Sequence, residues 1–338
     1  MDGELPHTSP AFTTTWQEWL AESLLRGVAE DEIVSVMRQR GFDHAEAWRL
    51  IAAQQKIPSF RVAHRLLCEH RKLRSLTDAL SDQWSQSPQA TAVPVMDPPD
   101  PEAFFERFYF ANRPVVVRGL VEQWPALHKW SPDYFAQEFG DTPIEISGDR
   151  EGDPRFEENF LAHRREITMR EFVAHVMADE GNDRYVVARN QLLQRPAFRR
   201  LLDDIHHLPG FLAPVTLSRA KLWFGPAGTL TPLHHDDSNI LFVQIQGSKL
   251  VRLVEPHSLP RLYGEQGGHS SVDLDDVDLT RFPLMRDVPV TETTVRQGEA
   301  LLLPLGWWHW VMSVETSISL SFVGGFDLPG HSTSWRYA

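Results

Sequence analysis

The sequence predicts a mainly β domain with helical support, preceded by a separate helical region, and three patterns carry that expectation. From about residue 185 onward the chain offers short apolar runs, YVVA, AKLWFG, NILFVQI, KLVRLV, TETTV, ALLLPL, HWVMS and SISLSF, punctuated by glycine and proline. That spacing belongs to an all-β barrel or sandwich. Residues 13–80 instead repeat their apolar side chains at helical intervals. Between the two, residues 81–100 (SDQWSQSPQATAVPVMDPPD) hold prolines and little helical period, as a linker or an extended leading strand does. The expected organisation is an N-terminal helical region over 1–80, a linker over 81–100 and the main domain over 101–338.

Each element has its own signal. Trp16, Trp19, Leu20 and Leu24 share one helical face, and Ile33, Val34 and Met37 share another, with Gly41 where a helix ends. Asp43 followed by Glu46 has the form of an N-cap with its capping-box partner. The segment GFDHAEAWRLI is loosely similar to the short helical turns of ubiquitin-associated-type bundles. A helix from about Pro101 leads to a turn at Asn112, Arg113 and Pro114 and then to a β-branched strand. Ser131 and Pro132 suit an N-cap and first turn. Thr168 and Glu171 form a second capping box. No internal repeat is present.

Composition narrows the function. A formal charge of −13 argues against broad nucleic-acid binding, which needs a basic stripe. It leaves room for a basic peptide as partner. The single cysteine, Cys68, excludes an intramolecular disulfide and argues against a thiolate zinc site. The N-terminal MDGELPHTSP lacks the basic and apolar regions of a signal peptide. No apolar run reaches the roughly 18 residues that a membrane span requires. A reducing cytoplasm is the expected compartment.

The chemistry concentrates in GTLTPLHHDDSNILFVQIQGSK. In a strand, residues i and i+2 share a face, so His234 pairs with Asp236 and His235 with Asp237; spacing alone leaves both pairs open. A third candidate ligand, His309, lies among Trp307, Trp308 and Trp310 in an apolar run. Two histidines and one carboxylate on opposed strands make a facial triad that suits non-haem Fe(II) and leaves positions open. Lys249 follows Asp236 by thirteen residues, past Gly247, with apolar Leu250, Val251 and Leu253 after it. A lysine entering a barrel interior must find an anion, and Thr231 offers a hydroxyl beside it.

At these residues the chain resembles the JmjC-domain, cupin-like, Fe(II)/2-oxoglutarate-dependent oxygenases, nearest to the small JmjC protein hydroxylases of arginyl-hydroxylase type. The matching stretches are RPVVVRGLVEQWPALHKW, LWFGPAGTLTPLHHD, VQIQGSK, VDLDDVDLTRFP and GEALLLPLGWWHWV, within roughly residues 95–325. The resemblance implies a double-stranded β-helix, a jelly-roll or cupin-like JmjC barrel. It selects His234 and Asp236 over His235 and Asp237, and adds His309 as the second metal histidine. It assigns the far carboxylate of 2-oxoglutarate to Lys249, Thr231 and Tyr185. Many members carry an Asn where this chain has Ile240: either a local bulge brings in Asn239, one residue earlier, or that polar contact is absent and Ser319 or Ser321 compensates. Glu145 and Trp223 resemble the residues that the arginyl-hydroxylase type offers to a target guanidinium.

The expected activity is hydroxylation of a protein or peptide side chain, arginine among the candidates, with Fe(II), 2-oxoglutarate and dioxygen. Trp307, Trp308 and Phe242 are expected to keep the site dry. Rival readings are an N-methyl-lysine demethylase, a small-molecule oxygenase, and an idle cupin-like scaffold whose N-terminal helices dock a partner. Those helices are also the expected surface of a homodimer.

Overall fold

The structure is a computed structural model describing residues 10–264 and 268–328. The chain divides into two compact units, Met1–Ala79 and Leu80–Ala338. No helix of the described residues is long and apolar enough to cross a membrane.

The first unit is helical, with α1 (Thr14–Arg26), α2 (Glu30–Gln39), α3 (His44–Lys56) and the start of α4 (Pro58–Ser85). Asp43 caps α3, its carboxylate accepting the Ala45 and Glu46 amides at 2.9 and 3.2 Å, which satisfies donors that a helix start leaves orphaned. Leu20, Ile33, Val34, Met37, Ala47 and Ile51 form its core, the residues that the helical spacing marks as inward.

Among its described residues the second unit carries thirteen short strands: β1 (Val95–Met96), β2 (Val115–Arg118), β3 (Pro143–Gly148), β4 (Arg164–Thr168), β5 (Arg184–Tyr185), β6 (Lys221–Gly225), β7 (Leu230–His234), β8 (Ile240–Gln246), β9 (Ser248–Val254), β10 (Thr291–Arg296), β11 (Glu299–Leu303), β12 (Trp308–Ser313) and β13 (Ser317–Val323). A six-stranded sheet runs β1-β2-β11-β8-β13-β6 and a four-stranded one β10-β9-β12-β7. Their inner faces share one apolar layer, Val116, Phe242, Leu301 and Leu303 from the first and Val251, Leu253 and Val295 from the second. This is the mainly β, cupin-like double-sheet barrel that the sequence and its resemblance predict.

Alternation explains why the first sheet is apolar on both sides. Along β8, Ile240 and Phe242 enter the inter-sheet layer, while Leu241, Val243 and Ile245 face a second core. That outer core is completed by Phe104 of α5 (Pro101–Phe104), Phe135 of α7 (Pro132–Phe139), and Phe172 and Val173 of α8 (Met169–Ala178). A short helix, α6 (Ala126–Lys129), precedes α7. Each fully buried large apolar side chain contributes about 1.5–3 kcal/mol. Thr168 and Glu171 form the complete capping box of α8, and Ser131 caps α7. A third sheet, β4-β3-β5, joins β6 through reciprocal Val186–Phe224 backbone bonds of 2.9 and 3.0 Å. The run YVVA is therefore only briefly a strand: Asn190 accepts the Val187 amide at 2.8 Å and turns the chain into a 3-10 helix.

Candidate metal and anion site

Two strands of the smaller sheet position the histidines. β7 and β12 are antiparallel neighbours, and His234 stands directly opposite His309. His234 closes β7 instead of standing at the mouth of β8, and Asp236 lies in the turn between those strands. The ligand atoms of His234, Asp236 and His309 all lie within 4.8 Å of one another. The Asp236 carboxylate is 3.9 Å from His234 Nε2 and 3.5 Å from His309 Nε2.

Backbone carbonyls decide which nitrogen of each ring is free. His234 Nδ1 lies 2.8 Å from the Pro232 carbonyl and His309 Nδ1 lies 3.0 Å from that of Trp307. A carbonyl only accepts, so each neutral ring carries its proton on Nδ1 and presents the Nε2 lone pair to the cluster. Burial pushes His234 down to about 3, helped by His309 and opposed by Asp236. Burial likewise pushes His309 down to about 4, against the Trp307 carbonyl bond. Both rings are thus neutral at physiological pH, the form that ligates. Two imidazoles and one carboxylate are a donor set that fits non-haem Fe(II).

The neighbouring polar pair stays outside this cluster, although His235 borders the same cavity. The His235 amide bonds the Gly268 carbonyl at 3.0 Å and its ring lies 4.6 Å from Trp308, while Asp237 is exposed. His269, which no spacing in the sequence flagged, stacks on His234 with ring centroids 5.5 Å apart.

The three donors open into a cavity of about 310 Å3 whose other end is cationic. Lys249 points inward because Gly247 makes a one-residue turn between β8 and β9. Its φ of 71° suits glycine, and a Cβ there would meet the Thr316 carbonyl at 2.3 Å. Only 2% of Lys249 is exposed, and its Nζ bonds the Tyr185 hydroxyl at 2.5 Å. Burial, reinforced by the charge of Arg150, lowers it to about 7. Burial also raises the Tyr185 phenol, whose hydroxyl meets those of Thr229 and Thr231. Among the described residues no carboxylate pairs with Lys249, and Lys249, Tyr185 and Thr231 all line the cavity. A buried ammonium next to hydroxyls and without a counter-ion fits an entering carboxylate.

Several expectations need correction. Asn239 does not line the cavity: its side chain accepts the Leu305 amide at 2.9 Å and its carbonyl accepts that of Gly324 at 2.8 Å. Strand alternation turns Ile240 inward instead, with Phe242, Leu303, Val311 and Val323 on the apolar lining. Of the two serines, Ser321 lines the cavity and accepts the Trp223 indole at 3.1 Å, whereas Ser319 bonds Gln244 at 2.8 Å. Trp223 lines the cavity, but Glu145 does not; its carboxylate takes the Arg164 guanidinium and the Asn190 amide, the latter at 3.0 Å. Glu157 lines the cavity and pairs with Arg150 and Arg189 at 3.3 and 3.8 Å, and no periodicity could have singled it out of the segment 149–163. Phe242 shields the site directly, while Trp307 and Trp308 pack in core layers behind it.

Residues 101–322 match the cupin-like domain family. The chain is 30% identical over 242 residues to lysine-specific demethylase 8 of Xenopus tropicalis, covering 69% of this chain and 52% of that protein. It is 31% identical over 236 residues to lysine-specific demethylase JMJ30 of Arabidopsis thaliana, covering 65% and 52%. To the human bifunctional peptidase and (3S)-lysyl hydroxylase JMJD7 it is 29% identical over 265 residues, covering 68% and 83%. The chain thus spans about half the length of the first two relatives.

Proposed function

We propose a function from one premise, that the chain belongs to the cupin-like JmjC family: it is a Fe(II)- and 2-oxoglutarate-dependent dioxygenase that hydroxylates a protein or peptide side chain, yielding succinate and carbon dioxide. The observation that carries this is the convergence of His234, Asp236 and His309 in the same cavity as an unpaired buried Lys249.

In this reading His234, Asp236 and His309 hold the ferrous ion, which when bound supplies the activation of dioxygen coupled to decarboxylation of the oxo acid. The chain's own residues do the positioning. The Pro232 and Trp307 carbonyls fix the imidazoles so that Nε2 faces the metal position. Lys249, Tyr185 and Thr231 take the C5 carboxylate of 2-oxoglutarate, and the ammonium becomes fully charged as the anion arrives. Ile240, Phe242, Leu303 and Val311 exclude water from the reacting end. The target side chain enters past Trp223, whose ring face suits a cationic group such as arginine. Glu145, engaged with Arg164 and away from the cavity lining, is given no role in this reading.

The test is succinate release from Fe(II), 2-oxoglutarate and basic peptides, with intact-mass analysis of the peptide. Gain of one oxygen atom without formaldehyde supports hydroxylation. A second reading, N-methyl-lysine demethylation, draws on the two relatives named as lysine-specific demethylases, and formaldehyde release would favour it. Absence of any 2-oxoglutarate turnover in the iron-loaded protein would sink both.

A further inference from the structure

Arg150 is a buried cation that neither the metal cluster nor the cavity lining uses. It stands two residues past β3 and is 0% exposed. Its Nη2 donates to the Leu230 carbonyl at 2.8 Å and faces Glu157 Oε1 at 3.3 Å. The guanidinium lies over the ring of Phe156 at 4.2 Å and that of Tyr185 at 5.2 Å. Its Nε and Nη1 are buried without a hydrogen-bond partner among the described residues. A guanidinium so placed is costly, and only ring faces and partial pairing offset it.

Three of its contacts lead to the same place. Tyr185 presents its hydroxyl to Lys249, whose Nζ lies 5.0 Å from the centroid of that ring. Leu230 opens β7, the strand that carries Thr231 inward and ends in His234. Glu157 lines the same cavity. We propose that Arg150 is a positioning residue of the carboxylate seat: from behind Tyr185 it fixes the phenol and the start of β7, and it sets a second positive charge behind Lys249. This rests on that seat being the place of the 2-oxoglutarate C5 carboxylate. The groups acting on Lys249 are few. The Tyr185 hydroxyl bonds it and Arg150 opposes its charge, while Glu157 and Asp183 act on Arg150. An entering carboxylate is therefore attracted by two cations, one that it touches and one that it does not.

The test measures 2-oxoglutarate binding to the Mn(II)-loaded full chain by calorimetry from neutral to alkaline pH, for wild type, Arg150→Gln and Arg150→Lys. Mn(II) affinity and the NMR titration of Lys249 in the ligand-free protein are followed in parallel. Arg150→Gln is expected to weaken 2-oxoglutarate binding on the order of tenfold with Mn(II) affinity unchanged. It should also move the Lys249 midpoint upward by roughly one unit. Arg150→Lys keeps the charge but not the planar fork, so it should hold the midpoint and bind several-fold more weakly than wild type. Wild-type affinity in Arg150→Gln, or weakened binding with an unmoved Lys249 midpoint and no rescue by lysine, would overturn the proposal. If the glutamine variant does not fold, Arg150→Lys decides: wild-type affinity there overturns it. A wild-type protein that takes up no 2-oxoglutarate would instead overturn the reading of the seat, while the ligand-free Lys249 titration still decides whether Arg150 governs that charge.

Discussion

The two ends of the cavity meet the same low dielectric with opposite charges. At one end burial keeps His234 and His309 neutral and their lone pairs turn to a carboxylate, an arrangement that suits a cation. At the other, burial presses on Lys249, whose bonded partner is a phenol, an arrangement that suits an anion. Burial by itself thus selects no ligand. The sign of the charge that each end would lose on neutralisation does.

Variants separate the two ends. The largest effect is expected for His309→Ala, which should reduce metal uptake to background and abolish 2-oxoglutarate turnover while circular dichroism stays native; retention of tight metal binding would remove His309 from the centre. Next, Lys249→Ala should weaken 2-oxoglutarate binding by about 30-fold or more, as loss of a buried charge partner does, and leave metal affinity nearly unchanged. The reverse ranking in calorimetry would exchange the roles of the two ends.

The anion end should also show itself through pH. Lys249 falls to about 7 in the folded protein, against an ordinary value of about 10.4. Above the folded value the empty seat loses its charge and must take up a proton to bind the anion, so 2-oxoglutarate affinity should fall roughly tenfold per pH unit. Between the two values the unfolded chain binds the extra proton, so Lys249 makes the ligand-free protein more stable as pH rises across that window. Parallel calorimetry and thermal melts should therefore move in opposite directions; affinity flat from neutral to alkaline pH would mean that Lys249 stays charged.

Smaller effects test the corrected residues. Asn239→Ala removes the bond to the Leu305 amide and should cost about 1 kcal/mol of stability without changing 2-oxoglutarate affinity. The smallest change is expected for His235→Ala, which should keep metal affinity near wild type; loss of metal there would mean that the other histidine of the pair ligates.

Much of this was legible from residue order because alternation is local. The inward placement of Lys249 follows from a glycine turn and a period of two, and the caps at Asp43 and Thr168 follow from side chains that reach only three residues. Asn239 stays off the cavity lining for a related reason: one step along the chain reverses the facing of a side chain, and Ile240 holds the inward position. The engagement of Glu145 was not legible because its partner Arg164 lies on β4, the strand paired with its own. Glu157 and His269 had no signal, since both come from irregular segments whose course is set by tertiary packing.

The amino-acid order by itself determined the strand-rich second unit, the helical first one and the short-range geometry that makes a histidine and a carboxylate neighbours in a turn. Only the tertiary structure decided that His309 would stand opposite His234, that Arg164 would occupy Glu145, and that Arg150 would lie buried behind Tyr185. Periodicity acts over a few bonds and can be read along the chain. Charge pairing and desolvation depend on distances through space, which packed sheets and loops fix only once the whole domain has closed.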